Sequence, residues 1–363
     1  MNGTRSAGSL TIRRADPDDL PEVARLFRLV SERDYDLPTV ERLVCGLDPQ
    51  RYYVWLALTG GQAVGMTMME PRTLQRDGQV LRAGYWTNLF VDPAYRTSTL
   101  YPRLPFAMFK GASEAGMDLV YAAVRRPRVA EAHLAIGMRQ IARLPVLAKP
   151  IRPASLIAKH NNWGAWAKRL SRLPDAAYAG YLAVRRSPVS EDYSIEELPW
   201  DAAEVRRLVE IAGASASPRL RQLWSAELFR ERFAYNSDGA PYTLVGAFRR
   251  RDLVAGAVYR MARRGKNICA GIVMEAVYED GEEQAVQGAL AEIERRAHAA
   301  GADVVLCLPG WDERSPEIFR GLGYMTSPES YVLMRRSTAE ATRDLPLDDA
   351  SAWRFGFADH DAF

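Results

Sequence analysis

The order of predicted strands and helices occurs twice along this chain of 363 residues. The first half begins with a short strand at 10–14, followed by helical segments and a hairpin. After the hairpin come a long strand at 81–91, a helix, a strand at 118–124, a second helix and a last strand. The same β-α-β-β-β-α-β-α-β order returns between residues 193 and 336. A repeat of this kind indicates two α/β domains related by tandem duplication.

The length of the chain agrees with two domains, because single domains usually have 100 to 200 residues, roughly half of this length. We predict an N-terminal domain at 1–150 and a linker containing an amphipathic helix at 151–190. A C-terminal domain is predicted at 191–336, followed by a tail at 337–363. The linker has apolar residues at helical spacing with basic residues between them. We interpret it as a strap that joins the domains; the alternative, a helix lying on a membrane surface, is not the expectation.

The composition indicates a folded protein and excludes several classes of site. Apolar residues make up 48% of the chain and charged residues 26%, which is near the globular average. The three cysteines are far apart and the four histidines have no metal-ligand spacing, so we expect no disulfide framework and no metal site. The first residues lack the apolar core of a signal peptide, and no stretch is apolar over about 18 residues, which favours a cytoplasmic location.

Charge is distributed unequally along the sequence. Residues 1–185 have a net charge of +10, whereas the remainder has a net charge of −7. Because clustered positive charge concentrates anions, an anionic ligand is expected in the first half. The arginines are scattered and have no interleaved aromatic residues, so nucleic acid is not an expected partner.

Several segments carry a family resemblance. The first half contains NLFVDPAYRTSTLYPRL at 88–104 and HLAIGM at 133–138, and the second contains FRGLGY at 319–324. With the order of elements, these segments resemble the GNAT superfamily of acyl-CoA-dependent N-acyltransferases. The whole chain is similar to tandem GNAT-like proteins of bacterial polysaccharide and secondary-metabolite pathways. The resemblance implies two domains, each with a mixed, splayed central sheet flanked by helices.

The resemblance implies a site for an acyl-CoA where strands 81–91 and 118–124 separate. The backbone of the first strand would pair with the pantetheine, and the next loop would hold the pyrophosphate at the start of a helix. The implied residues are Leu89, Phe90, Val91, Arg96, Thr97, Ser98, Thr99, Leu100 and Tyr101. The loop has the family's arginine, but Thr99 and Tyr101 stand where the family has small residues. The alternative interpretation of this loop is an ordinary helix N-terminus, with the nearby arginines as solvated surface residues.

The resemblance also implies candidates for the chemical step. His133 lies four residues before Gly137, where the family usually has a tyrosine that protonates the departing thiolate. The alternative is a half-buried histidine bonded to a backbone carbonyl, in which case Tyr121 is the next candidate acid. No carboxylate stands in the middle of strand 81–91, which leaves three alternatives for the amine proton: a water chain, Glu70 as the base, or a base from elsewhere in the sequence. The residues expected to bind the acceptor are Tyr85, Thr87 and Asn88.

These residues predict transfer of an acyl group, most simply acetyl, from a CoA thioester to an amine. The expected acceptor is a small molecule such as an amino sugar or an amino acid precursor. The alternatives are an acyl carrier protein as donor and a binding module without activity. The C-terminal domain is expected to bind no CoA, because the segment 278–283 has four carboxylates and Phe319 replaces the histidine. That domain would complete or shield the site, and its candidate contributors are Trp353, Asp359 and Asp361.

Overall fold

The chain folds into two compact units that are not contiguous in sequence. The first comprises Met1–Arg143 with Tyr331–Ala352, and the second comprises Leu144–Ser330 with Trp353–Phe363. The computed structural model describes residues 9–30, 35–48, 50–96, 99–185, 192–214, 219–234, 241–310, 314–342 and 345–360.

The described part of the chain contains both helices and strands. The α-helices are α1 (Leu20–Val30), α2 (Leu37–Leu43), α3 (Leu100–Glu114), α4 (Pro127–Ala135), α5 (Pro153–His160), α6 (Ala165–Leu170), α7 (Arg172–Arg185), α8 (Ala202–Ala214), α9 (Ala226–Phe233), α10 (Glu283–Ala299) and α11 (Ser315–Gly321). The strands are β1 (Thr11–Arg14), β2 (Tyr53–Thr59), β3 (Gln62–Arg76), β4 (Gln79–Val91), β5 (Leu119–Val124), β6 (Arg139–Pro150), β7 (Tyr193–Leu198), β8 (Arg221–Gln222), β9 (Tyr242–Arg249), β10 (Asp252–Arg264), β11 (Ile268–Tyr278), β12 (Val304–Cys307) and β13 (Met325–Ser337).

In the first unit the strands are ordered β1-β2-β3-β4-β5-β13. All neighbouring pairs are antiparallel except β4 and β5, which are parallel. The side chains of β2 alternate between two cores, as the pleat of a strand requires. Val54 and Leu56 pack with α1 and α2, whereas Trp55 packs with α3 on the other face. The sheet is therefore covered on both faces, which fixes the register of its strands.

Two glycines end the helices that flank this sheet. Gly116 follows α3 with a φ of 70°, and Gly137 follows α4 with a φ of 89°. This left-handed conformation favours glycine, and it turns the chain out of the helix into the next strand. Both helix ends agree with the sequence predictions. Helix α3 begins at Leu100, before Pro102, so Leu100 and Tyr101 belong to its first turn.

The second unit repeats the arrangement, with the strand order β6-β12-β11-β10-β9-β7. Its parallel pair is β11 with β12, the counterpart of β4 with β5. The buried face of α10 packs on this sheet through Ala289, Leu290 and Ile293. The predicted fold class, two mixed sheets flanked by helices, is thus confirmed.

Each sheet ends in a strand from the other half of the sequence. In the first unit β5 pairs with Val332–Ser337 of β13, and in the second unit β12 pairs with Leu147–Pro150 of β6. The compact units therefore differ from contiguous segments at 1–150 and 191–336 by an exchange of strands. A periodic pattern predicts that a segment is a strand, but its partner is chosen by tertiary packing.

Within the described residues, no helix has the length and hydropathy that crossing a membrane requires.

Candidate functional site

The parallel strands of the first unit separate after three residues. Their register comprises Ala83↔Leu119, Gly84↔Val120 and Tyr85↔Tyr121, and it ends there. Strand β4 continues to Val91 with its other edge on β3. Past Tyr85, the backbone groups on the β5 side of β4 are thus at an opening between two strands. An extended ligand can add to such an edge through main-chain hydrogen bonds.

A β-bulge lies where β4 leaves its parallel partner. The antiparallel register with β3 shifts between Thr67 opposite Leu89 and Met69 opposite Trp86, so Thr87 and Asn88 together face one residue. The hydroxyl groups of Tyr52 and Thr87 are hydrogen-bonded at 3.1 Å. Thr67 Oγ1 donates to the Asn88 carbonyl at 3.3 Å. These bonds on both sides of the bulge hold β4 in its bent course.

A row of three side chains crosses the sheet at the last parallel pair. Glu70 is opposite Tyr85 in the antiparallel register, and Tyr85 is opposite Tyr121 in the parallel register. The two tyrosine rings are 5.0 Å apart between centroids, and each residue is 1% exposed. Glu70 forms an ion pair with the buried guanidinium of Arg72 at 2.7 Å. The structure therefore brings the candidates Glu70, Tyr85 and Tyr121 together.

Helix α3 begins just beyond the end of β4. Its N-cap residue is Thr99, and the first-turn amides of an α-helix have no acceptor within the helix, which favours an anion there. Arg96 is exposed next to this end, with its Nε 3.4 Å from the Val91 carbonyl. Four other arginines of this region are exposed, namely Arg103, Arg125, Arg126 and Arg128. The candidates Thr97 and Ser98 lie outside the described residues.

His133 is enclosed between two aromatic side chains. Its ring stacks on Trp86, with centroids 4.0 Å apart and planes at 12°. Its Nδ1 is 2.9 Å from the hydroxyl group of Tyr101. Trp86 belongs to β4, Tyr101 to α3 and His133 to α4, so the three elements around the opening meet at this residue. The His133 residue is buried, with 5% of its surface exposed.

Burial sets the protonation states of this pair. Desolvation lowers the pKa of His133 from 6.5 to about 4, so the imidazole is neutral at pH 7. Desolvation also raises the pKa of Tyr101 to about 12, so its hydroxyl group keeps its hydrogen at pH 7. A neutral imidazole has one donor and one acceptor nitrogen. The pair is therefore an uncharged hydrogen-bonded chain at neutral pH.

Sequence reasoning missed two residues of this site. Trp86 supports the His133 ring, and Tyr52 bonds to the bulge residue Thr87. Trp86 was visible as a large aromatic residue within a strand, but its partner is 47 positions away in the sequence. Tyr101 was expected at the pyrophosphate only, whereas its hydroxyl group reaches His133.

The corresponding region of the second unit is occupied by ion pairs. The carboxylates that follow β11 bind arginines: Glu279 pairs with Arg207 and Glu282 pairs with Arg249. Phe319, at the position that corresponds to His133, is fully buried against Tyr324. Glu279, Glu282 and Phe319 therefore contact side chains of the second unit itself.

The tail of the chain packs where β11 continues beyond β12 in the second unit. The register of this parallel pair ends at Val273 and Cys307. Phe355 N donates to the Gly310 carbonyl at 3.0 Å, and Arg354 binds the buried Glu275 at 3.2 Å. Trp353 and Asp359 are buried in this unit, and Asp361 lies outside the described residues.

Comparisons with known proteins identify both the domain and the fold. Residues 11–132 match the family model for an acetyltransferase (GNAT) domain. No curated protein matches the chain by sequence. Among the described residues, no group of three His, Cys, Asp or Glu side chains is placed to hold a metal ion.

Solved structures of similar fold cover nearly the whole chain. A tandem GNAT protein from the clavulanic acid biosynthesis pathway has a TM-score of 0.59 at 12% identity, over 91% of this chain and 99% of that one. Saccharomyces cerevisiae N-myristoyltransferase with bound myristoyl-CoA has a TM-score of 0.61 at 12% identity, over 92% and 80%. A GCN5-related N-acetyltransferase from Anabaena variabilis has a TM-score of 0.59 at 10% identity, over 91% and 73%.

Proposed function

Residues 11–132 are a GNAT acetyltransferase domain within a tandem GNAT fold, which makes the chain a GNAT-type acyl-CoA N-acyltransferase. On this basis we propose that its first unit transfers an acetyl group to a small amine. The acceptor we propose is an amino sugar or an amino acid precursor in a bacterial biosynthetic pathway, in the cytoplasm. The observation that carries the proposal is the opening between β4 and β5 beyond Tyr85 and Tyr121.

The donor fits this opening as an added strand. The backbone of Leu89, Phe90 and Val91 would bond the pantetheine amides, and the start of α3 would hold the pyrophosphate with Arg96. Thr99 and Tyr101 place side chains where smaller residues are usual in the family, so the phosphates would lie against the exposed face of Thr99. Coenzyme A contributes the thioester, and the chain contributes binding and proton transfer.

Aromatic packing at the base of the opening favours a short acyl group. The rings of Tyr85 and Tyr121 are in contact and almost completely buried at the point where the strands part. A long chain would require these rings to move out of a close-packed core, which costs free energy. An acetyl group requires no such rearrangement.

The proton for the departing thiolate comes from the Tyr101–His133 pair in our proposal. With Nδ1 of His133 accepting the hydrogen of Tyr101, the ring proton is on Nε2. His133 gives this proton to the thiolate as Nδ1 takes the proton of Tyr101. The amine nitrogen loses one proton in forming the amide. Glu70 and water pass this proton to Nε2 of His133, and Nδ1 returns its proton to Tyr101, which restores both groups. A neutral histidine thus serves as a relay, and no imidazolium is needed beforehand.

The acceptor amine would approach at the bulge, beside Thr87 and Asn88. Glu70 lies one strand away, opposite Tyr85, and is our candidate for the group that receives the amine proton through water. Its ion pair with Arg72 orients the carboxylate. The second unit would bind no CoA, since the carboxylates that follow β11 are paired with arginines of the same unit.

The proposed function is tested by assaying thiol release from acetyl-CoA with a panel of amino sugars and amino acids. We expect turnover with at least one amine, and about a 10²-fold loss in a Tyr101→Phe variant. The matched control is Tyr181→Phe, which changes a half-exposed tyrosine of α7. Binding of acetyl-CoA without turnover of any amine would favour the binding module. Turnover with an acetylated carrier protein but not with acetyl-CoA would assign the donor to that protein.

A further inference from the structure

The helices α5, α6 and α7 carry an exposed apolar surface that the acyltransferase site does not use. Trp166 is 71% exposed and Leu173 is 73% exposed. Ile157 of α5, Leu170 of α6 and Trp163 in the connection between these two helices are about half exposed or more. Isolated exposed apolar residues are ordinary, but a contiguous patch with two tryptophans marks an interaction surface. We call these five residues the apolar patch.

The patch borders an open groove in the same helices. The groove has a volume of about 580 Å³ and is lined by Ala154, Ile157, Trp163, Trp166, Leu170 and Pro174. The sequence favoured a strap that joins the domains, interrupted at Asn161, Asn162 and Gly164. In the structure Asn162 has a φ of 53° and lies between the end of α5 and the start of α6.

The helices beneath the patch are held in place by hydrogen bonds at both ends of α5. Asp175 of α7 accepts hydrogen bonds from the first-turn amides of Ala154 and Ser155, at 2.8 Å and 3.1 Å. Lys266 Nζ donates to the His160 carbonyl at the other end of α5. The outward apolar residues therefore stand on a fixed base, and their exposure is a property of the fold.

The surroundings of the patch are positively charged. Residues 153–185 contain five Lys or Arg residues and one acidic residue, Asp175, which is buried. Arg169 and Arg172 are exposed beside the patch. A cavity of about 570 Å³ adjoins it, lined by Arg152, Lys159 and Arg172 and by the buried carboxylates Asp175 and Asp303, the second of which pairs with Lys159. Among the described residues of α5–α7, the exposed charged side chains beside the patch are thus the cations Arg169 and Arg172, which complement an anionic surface with an apolar interior.

We propose that the α5–α7 surface docks on an anionic phospholipid bilayer. Trp163, Trp166 and Leu173 insert at the level of the headgroups, where tryptophan side chains prefer to lie. Arg169 and Arg172 bind lipid phosphates, and each basic residue near an anionic leaflet strengthens the attraction. The bilayer, rather than an acidic protein helix, matches an open and shallow patch in which two indole rings are exposed. The protein would lie on the membrane without crossing it.

Co-sedimentation of the full chain with vesicles tests the proposal. We expect binding to vesicles of equal parts phosphatidylcholine and phosphatidylglycerol, and at least about tenfold weaker binding to pure phosphatidylcholine. The variant Trp166→Ser/Leu173→Ser should lose about tenfold or more in partition to the anionic vesicles. The variant Arg169→Glu/Arg172→Glu should lose a similar factor in partition to the anionic vesicles. At high salt the difference between this variant and the wild type should disappear, because wild-type binding weakens as well.

Matched controls separate the patch from general surface effects. Val80→Ser/Met325→Ser removes two exposed apolar side chains elsewhere, and Arg28→Glu/Arg320→Glu reverses two exposed arginines elsewhere. Both control variants should bind vesicles as the wild type does. Failure of the wild type to bind anionic vesicles would overturn the proposal. The proposal would also be overturned if the wild type formed a dimer that the Trp166→Ser/Leu173→Ser substitutions dissociate. The same holds if these substitutions abolished binding of an acidic carrier protein but left vesicle binding unchanged. Acetyl transfer in solution should be the same in all four variants.

Discussion

The imidazole of His133 lies flat against the indole of Trp86, with ring centroids 4.0 Å apart. This stack joins α4 to the part of β4 that has already left β5. It removes the imidazole from water, which lowers its pKa to about 4, and it leaves Nδ1 directed at Tyr101. The residue that the sequence marked as an acid is therefore uncharged in the free protein at pH 7.

The pH dependence of kcat/KM distinguishes a neutral relay from an imidazolium donor. We expect no decline in kcat/KM from His133 between pH 5.5 and 8, because kcat/KM reports the free protein and the pKa of about 4 lies below this range. An imidazolium donor would instead give a tenfold fall per pH unit across the same range. His133→Phe and Tyr101→Phe should each lower kcat about 10²-fold, and the double variant should lose little more, since the residues act as a unit. Full activity in either single variant would exclude the relay.

The buried histidine should also make stability depend on pH. Its pKa is about 4 in the folded state and 6.5 in the unfolded state, so the unfolded chain binds the extra proton between these values. This contribution, about 3 kcal/mol in full, is present above pH 6.5 and is lost as the pH falls to 4. Urea unfolding followed at pH 7 and pH 4.5 should show a smaller difference in His133→Phe than in the wild type. An NMR titration of the ring that gave a pKa near 6.5 would contradict this prediction.

Arg96→Ala should weaken the binding of CoA by about 1 to 3 kcal/mol, the range for a lost charge-assisted hydrogen bond to a phosphate. Calorimetry with CoA measures this change. Arg28→Ala, which removes an exposed arginine of α1, is the control and should bind CoA as the wild type does. We expect one CoA per chain, since the second unit has paired carboxylates at the corresponding position. Unchanged affinity in Arg96→Ala, or two sites per chain, would be evidence against the assignment.

Arg354→Met should destabilise the second unit more at pH 8 than at pH 5.5. Burial raises the pKa of Glu275 to about 7, with Arg354 opposing the shift, so the carboxyl group is mostly charged at pH 8 and mostly protonated at pH 5.5. Removing its arginine leaves a buried carboxylate unpaired at pH 8, which lowers the free energy of unfolding by about 3 to 5 kcal/mol. Chemical denaturation at both pH values measures the difference. An equal loss at the two values would show that the guanidinium acts by packing alone.

Gly310→Ala should release the tail from the second unit. A Cβ atom at this position would lie 1.8 Å from the Phe355 carbonyl oxygen, so the backbone of the tail must move. We expect a loss of at least about 1 to 3 kcal/mol, as for other overpacked positions. Limited proteolysis of residues near Phe355 would report the released tail. Gly213→Ala is the control, because nothing lies within 4 Å of its Cβ position.

Local pattern was enough to predict the elements and their repeat. The glycine stops at Gly116 and Gly137, the alternation in β2 and the length of α10 are properties of short segments, and each agrees with the structure. The resemblance added the fold class, which the structure confirms, and a GNAT domain, which the family match confirms for residues 11–132. The candidates Tyr85, Thr87 and Asn88 lie on β4, the strand predicted at 81–91, and their role at the acceptor stays a prediction.

Tertiary structure alone decided which segments meet. The partner of β5 is β13, more than 200 positions away in the sequence, and no periodicity specifies such a pairing. The protonation state of His133 depends on how completely Trp86 and Tyr101 exclude water, and the exposure of Trp166 and Leu173 depends on how α5, α6 and α7 pack on one another. The sequence by itself determined two α/β domains with a candidate acid on α4 of the first. Burial, which arises from contacts between distant segments, decided what that acid can do at neutral pH.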